Sequence, residues 1–297
     1  MVRCKNENCR KVMNVMSFAT WLPRQARIGR LCTPFQLLTL LRAWTANGLR
    51  KAPSAYQLGR SAGLSYKPCK RVIDTLRALE AKEGLRCSAA TRPGGVCEVD
   101  GTSLRTLRVY PSSVRFQHLI REWREKNPAV PRPVYWLLHV RLLGVVQRSD
   151  SRKLCVALAE QKLVKPKAVP PTESKREILS SGLLKRVKPG SSLMADGAAA
   201  WSAAARTLSA KRFTVHHVKH SRAQFVKRVP ACQRTLGTQT LDRVWDVLKR
   251  YIPKEISSRK IKHGRFDLLD YVYSCLWRRQ AKQMPLLQEL GKLCRDS

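Results

Sequence analysis

The sequence predicts a mixed α/β fold, a mixed sheet flanked by helices with an all-helical region ahead of it. Three observations lead there. Hydrophobic residues make up 43% of the 297, enough for a sizeable core and against wholesale disorder. The apolar pattern keeps helical spacing over roughly the first 86 residues and changes period near residue 95. Beyond that point strand-like and helix-like runs alternate, the layer order of an α/β domain. The expected organisation is an N-terminal segment over 1–30, a helical region over 31–86, the sheet domain over 95–281 and a C-terminal helix over 282–297.

The helical region opens at Thr33-Pro34, a cap residue followed by proline at the first helical position. Behind it Phe35, Leu37, Leu38, Leu41 and Trp44 form the expected apolar stripe, and Asn47-Gly48 ends the helix. Ser54 opens a short helix, Gly63 makes a turn, and Ser65 caps a longer helix with Val72, Ile73, Leu76 and Leu79 inward. A short helix, a glycine turn and a longer helix make a helix-turn-helix pattern. Lys67, Lys70 and Arg71 lie in the first turns of the second helix, where a recognition helix meets bases and phosphates. An ordinary helical hairpin with a solvated basic face would show the same pattern.

Residues 87–95 read as a linker. A strand with Val96 and Val99 follows, and the run Leu104–Tyr110 is expected to pair back on it across a tight turn. A basic amphipathic helix and a proline-rich loop occupy 113–133. Two apolar runs, His139–Gln147 and Lys153–Glu160, form a hairpin around the segment Arg148–Arg152. Thr172 starts a helix carrying Ile178, Leu179, Leu183 and Leu184. A turn and a short buried strand end at Asp196; a helix begins near Ala198, and Phe213–Val218 is the next strand. A basic loop over 219–237 leads to a helix with Leu241, Val244, Trp245, Leu248 and Ile252 inward, then to two tail helices. Three strands, a helix, a strand, a helix, a strand and then helices is the order of the ribonuclease-H-like fold.

Charge narrows the function. Lys and Arg number 58 against 20 Asp and Glu, a net charge of +38. Such an excess attracts polyanions, nucleic acid foremost, through phosphate neutralisation and counterion release. A ribosomal or chromatin-packing protein would share the charge without any chemistry. The first residues lack an apolar signal core and no apolar run is long enough for a membrane span, so no membrane partner is expected. The ten cysteines have no disulfide-like spacing and are expected to be reduced thiols. The expected location is the nucleus of a eukaryotic host, otherwise the cytoplasm or nucleoid. Cys4 and Cys9 could be half of a zinc knuckle, but no second ligand pair at metal-site spacing follows, and zinc is not expected there.

In so basic a chain, acidic residues in apolar settings are informative. Asp100 and Asp196 each end a strand run and Asp242 begins a helix. Carboxylates from separate elements suit Mg²⁺ or Mn²⁺, and two such ions clamp the attacking and leaving oxygens of a phosphodiester displacement. Each aspartate alone is equally well a turn or cap residue. Asp246, one turn after Asp242, is an alternative ligand, and Glu98 shares a strand face with Asp100. His216, His217 and His220 could ligate zinc, though a histidine-bearing strand near phosphate is the plainer reading. Trp245 and Trp277 read as core.

The neighbouring residues carry a resemblance. Glu98-Val99-Asp100 resembles the first-aspartate strand, E-V-D-E-T, of the ISXO-like transposases of bacterial insertion sequences, a DDE family. Gly144–Arg148, Lys188–Ser191 with Ala195-Asp196-Gly197, and His220-Ser221 resemble its next blocks. The most specific block runs from Gly237 to Asp242 and on through Trp245, Leu248, Lys249 and Arg250, similar to H-T-N-T-I-E-x-x-W-x-x-L-K-R. The resemblance spans Ser54 to Trp277. It implies a ribonuclease-H-like core in which Asp100, Asp196 and Asp242 hold two Mg²⁺ or Mn²⁺ ions, with Lys249 and Arg250 on DNA phosphate. It further implies DNA partners (element ends and target) and a homo-oligomer in a synaptic complex. Residues 1–30 would then be zinc-ribbon-like or disordered. The sequence departs from the pattern at Gly101, where the family has an acid, and at Gly237, Gln239 and Asp242, where it has His, Asn and Glu. Asp242 is one methylene shorter than Glu. A recruited or decayed transposase that binds DNA without catalysis is therefore the alternative, and a nuclease for RNA or junctions a third reading.

Overall fold

The computed structural model describes residues 2–3, 12–13, 22, 32–196, 199–208, 213–217, 227–229, 234–236, 238–253, 261–262, 265–281 and 285–295. The expectations for Cys4, Cys9, Gly197, His220, Ser221 and Gly237 lie outside these residues. By packing, the chain forms two units, one comprising 1–87, 250–256 and 260–297, the other 88–249 and 257–259.

The first unit is helical. Its helices are α1 (Pro34–Ala46), α2 (Ala55–Ala62) and the start of α3 (Tyr66–Ala90). Thr33 and Gln36 form a reciprocal capping box at α1, with Pro34 in the first turn, and Ser54 caps α2. The chain turns into α3 at Gly63, whose carbonyl accepts a hydrogen bond from Gln36 Nε2 at 2.9 Å. The buried stripe of α1 is Leu37, Leu40 and Trp44, not the expected one: Phe35 is 78% exposed and Leu38 43%. Leu37, Leu40 and Trp44 keep strict i, i+3, i+7 spacing, which leaves Phe35 and Leu38 on the far side. Two-residue strands β1 (Val2–Arg3) and β2 (Val12–Met13) form an antiparallel ladder in the same unit.

The C-terminal helices belong to this unit as well, whereas the sequence reading had run the sheet domain on to residue 281. A buried polar network explains why: the Glu80 carboxylate pairs with Arg278 at 2.9 Å, both side chains fully buried. Trp44 Nε1 donates to Glu80 at 2.7 Å, Ser274 Oγ donates to its other oxygen, and Tyr251 meets Ser274 at 2.9 Å. Arg278 also donates to the carbonyls of Trp44 and Gly48, satisfying the C-terminus of α1.

The second unit is a mixed open sheet flanked by helices. Its strands are β3 (Val96–Val109), β4 (Trp136–Gln147), β5 (Asp150–Leu158), β6 (Leu163–Val164), β7 (Ser191–Ala195) and β8 (Phe213–His217). They lie in the order β5-β4-β3-β7-β8, with β6 on β4. β3, β4 and β5 are antiparallel; β7 runs parallel to β3 and β8 parallel to β7. The β4–β5 hairpin is as expected. The expected turn inside β3 is not formed. β3 is one 14-residue strand because β4 is long enough to pair with it from Cys97 to Val109, absorbing one irregularity between Ser103 and Arg105.

Four helices of this unit are α4 (Gln117–Lys126), α5 (Lys175–Ser180), α6 (Leu183–Arg186) and α7 (Ala199–Leu208). On one face of the sheet, Cys97, Val99, Leu143 and Val145 pack with Ile178, Leu183, Leu184 and Trp201. The helix expected from Thr172 begins instead after Ser174, whose capping box with Glu177 satisfies the first amides, and it breaks at Gly182. The expected linker over 87–95 is helical to Ala90. A short ladder, β9 (Lys227–Val229) with β10 (Arg234–Leu236), lies within the basic stretch. Then follow α8 (Gln239–Tyr251), a ladder of β11 (Ile261–Lys262) with β12 (Arg265–Phe266), α9 (Asp267–Gln280) and α10 (Leu286–Arg295). No described helix is long and apolar enough to cross a membrane.

Candidate carboxylate site on the sheet

Parallel pairing of β3 with β7 brings two of the aspartates together. Val99 pairs with Ala195, so the next residues, Asp100 and Asp196, stand side by side where β7 ends. Asp196 is exposed and Asp100 is half-buried. Burial, and after it the Asp196 charge, push the Asp100 carboxyl up to about 8, with Glu173 adding a further repulsion. The indole Nε1 of Trp245 opposes this by donating to Asp100 Oδ2 at 3.0 Å.

The indole is placed by α8, which lies on the same face of the sheet. Asp100 pairs across the ladder with Gly144. A Cβ at Gly144 would stand 2.6 Å from Trp245 Cη2, so only glycine lets the ring lie on the strand. Glu98, fully buried two residues before Asp100, holds the start of α8: its Oε2 accepts the Leu241 amide at 2.8 Å. Its Oε1 accepts from Arg148 at 2.8 Å. Burial raises the Glu98 pKa, and these donors pull it back. Thus Glu98, Gly144, Arg148 and Trp245 are tied together beside Asp100.

Asp242 is exposed on α8, with Thr238 Oγ1 at 3.5 Å from its Oδ2. Asp246 and Lys249 are exposed on the same helix, and Arg250 follows them. Among the described residues, no group of three or more His, Cys, Asp and Glu side chains is arranged to hold a metal ion. Asp100 and Asp196, two carboxyls from adjacent strands in an otherwise strongly basic chain, are the residues here that could hold a hard divalent cation.

A third carboxylate near the pair escaped the sequence reading. Glu173 Oε1 lies 2.1 Å from where a Cβ at Gly101 would stand, so its carboxylate occupies the space that Gly101 leaves open. Alternation along β3 puts it on the face opposite Asp100. Burial and then the Asp196 charge raise the Glu173 pKa. Its segment is anchored by Arg141, which pairs with buried Glu177 and donates to the Pro171 carbonyl at 2.9 Å. The one sequence signal was Gly101 itself, a gap beside a key aspartate.

The other candidates are spread more widely. Lys67 and Arg71 are exposed near the start of α3, while Lys70 is paired with Asp74 one turn on. His217 Nε2 shares a hydrogen bond with Ser202 at 2.5 Å, which gives that ring a structural partner on α7. Trp245 and Trp277 are buried, as expected of core residues. No family model, curated protein or solved structure matches the chain.

Proposed function

We propose that the chain belongs to the class of metal-dependent proteins that cut and join phosphodiester bonds in nucleic acid, built on a ribonuclease-H-like core. Within that class, the residue blocks around Asp100, Asp196 and Asp242 favour a DDE transposase of the ISXO-like kind. The observation that carries the reading is the Asp100–Asp196 pair, with Asp100 inside the long strand β3, not at a strand end as expected, and Asp196 just past the end of its parallel neighbour β7. A sheet of three antiparallel strands continued by two parallel ones off the first is the layout this reading calls for.

Asp100 and Asp196 would hold Mg²⁺ or Mn²⁺, with Asp242 as the third ligand the resemblance implies. The ions supply a lowered pKa for the attacking hydroxyl and charge for the leaving oxygen. The chain's own part is positional. Trp245 orients the Asp100 carboxyl, and Glu98 holds the start of α8 and so places Trp245. Lys249 and Arg250 are exposed on the helix of Asp242 for phosphate contact. Lys67 and Arg71 would read element-end DNA, and two ends meeting would call for a homo-oligomer.

A second reading, a transposase-derived DNA-binding protein without catalysis, is favoured by Gly101 and Asp242, which stand where the resembled family has an acid and Glu. A strand-nicking assay on supercoiled DNA with Mg²⁺ or Mn²⁺ separates them. Metal-dependent nicking that Asp100→Ala and Asp196→Ala abolish supports the enzyme. Tight, salt-sensitive binding with no nicking leaves the binding protein.

A further inference from the structure

Past Val99, β3 pairs only with β4 among the described strands, and the two run on together as an arm to Val109 and Trp136. At about 3.3 Å per residue its end lies roughly 30 Å along β3 from Asp100. Tyr110 follows β3 and Tyr135 precedes β4, so the two rings meet at the tip, 6.1 Å apart and tilted by 50°. The Arg108 guanidinium stands over Tyr135, 5.2 Å from the ring centroid. Beneath them Trp123 of α4 packs edge-on to Trp136 at 5.6 Å, which gives the tip a buried, rigid base.

This tip is unusual in what it leaves in water. Tyr110 is 47% exposed, and Val114 and Val134 beside it are 85% and 79% exposed. The segment from Leu104 to Tyr135 carries seven Lys and Arg against two Glu, and one of those, Glu122, is already paired with Lys126. An exposed tyrosine ring beside a half-buried one with an arginine stacked on it, in a cationic setting, matches the chemistry of unpaired nucleic-acid bases. A duplex flank would use the charge but has no accessible base faces for the rings.

We propose that the arm tip, centred on Tyr110 with Tyr135 and Arg108, binds single-stranded nucleic acid by base stacking. The site is separate from the carboxylate pair, and it rests on the reading that the partner is nucleic acid.

The test is an anisotropy titration of the full chain with a blunt duplex and with the same duplex bearing a single-stranded extension. The extension should tighten binding by wild type. Tyr110→Ala should lose most of that gain, about tenfold in Kd, and Tyr110→Phe, which keeps the ring face, should retain it. The blunt duplex should bind all three proteins equally. Tyr110 is exposed beyond the end of the strand, so these substitutions leave the core intact. An extension that adds nothing for wild type, or adds as much for Tyr110→Ala, overturns the proposal while the function above stands. Binding to neither probe overturns both.

Discussion

At the scale of single residues, Asp100 concentrates the chemistry. Its folded pKa is raised from 3.8 to about 8 by burial and by Asp196. A raised pKa means the folded state holds the proton more tightly than the unfolded chain does. The associated stability is therefore fully present below about pH 4 and is lost as pH rises through about 8. Metal-free protein should lose thermal stability between about pH 4 and 8 more steeply than Asp100→Asn, which carries no charge to bury. Parallel melting curves for the two proteins would sink this expectation. Gly144 is the second pressure point. Gly144→Ala should destabilise by about 1–3 kcal/mol by driving a methyl into the Trp245 ring. Urea unfolding measures that cost, and Trp245 fluorescence should report the displaced indole.

Among elements, α8 shows how one helix is docked by a few contacts. Leu241, Val244, Trp245, Leu248 and Ile252 supply its buried stripe, but the stripe alone allows sliding along the sheet. Glu98 removes that freedom by accepting the Leu241 amide, and Trp245 adds the hydrogen bond to Asp100. Glu98→Ala should cost about 1–3 kcal/mol, since the Leu241 amide is left with only the Thr238 carbonyl and Arg148 is left without this carboxylate. Hydrogen exchange at the Leu241 amide should accelerate more than at Leu248, and equal protection at the two would argue against the capping role. The segment bearing Glu173 is held in a comparable way by the Ser174 capping box and by the Arg141–Glu177 pair.

For the molecule as a whole, charge dominates. With nucleic acid as the proposed partner, a net +38 gives binding a steep ionic-strength dependence. Affinity for duplex DNA should fall by about 10³–10⁵ between 50 and 200 mM salt if six to ten phosphates are contacted. Lys67→Ala and Arg71→Ala should each shallow that slope by about one contact. A slope near zero, measured by titration across salt concentrations, would remove nucleic acid as the partner.

The sequence by itself determined the element types where apolar periodicity is strong: α1 to its Asn47-Gly48 end, the β4–β5 hairpin, β7 with Asp196 at its end, and the buried face of α8. These are local properties, set by spacing and caps within a few residues of each other. Only the tertiary structure decided the matters that depend on partners distant in the chain. β3 runs straight because β4 is there to pair with it. Glu173 reaches the gap at Gly101 because Arg141 anchors its loop, and α9 joins the helical unit because Glu80 needs Arg278. Asp100 meets Asp196 through the parallel register of β3 and β7, a pairing that spacing along one chain does not encode.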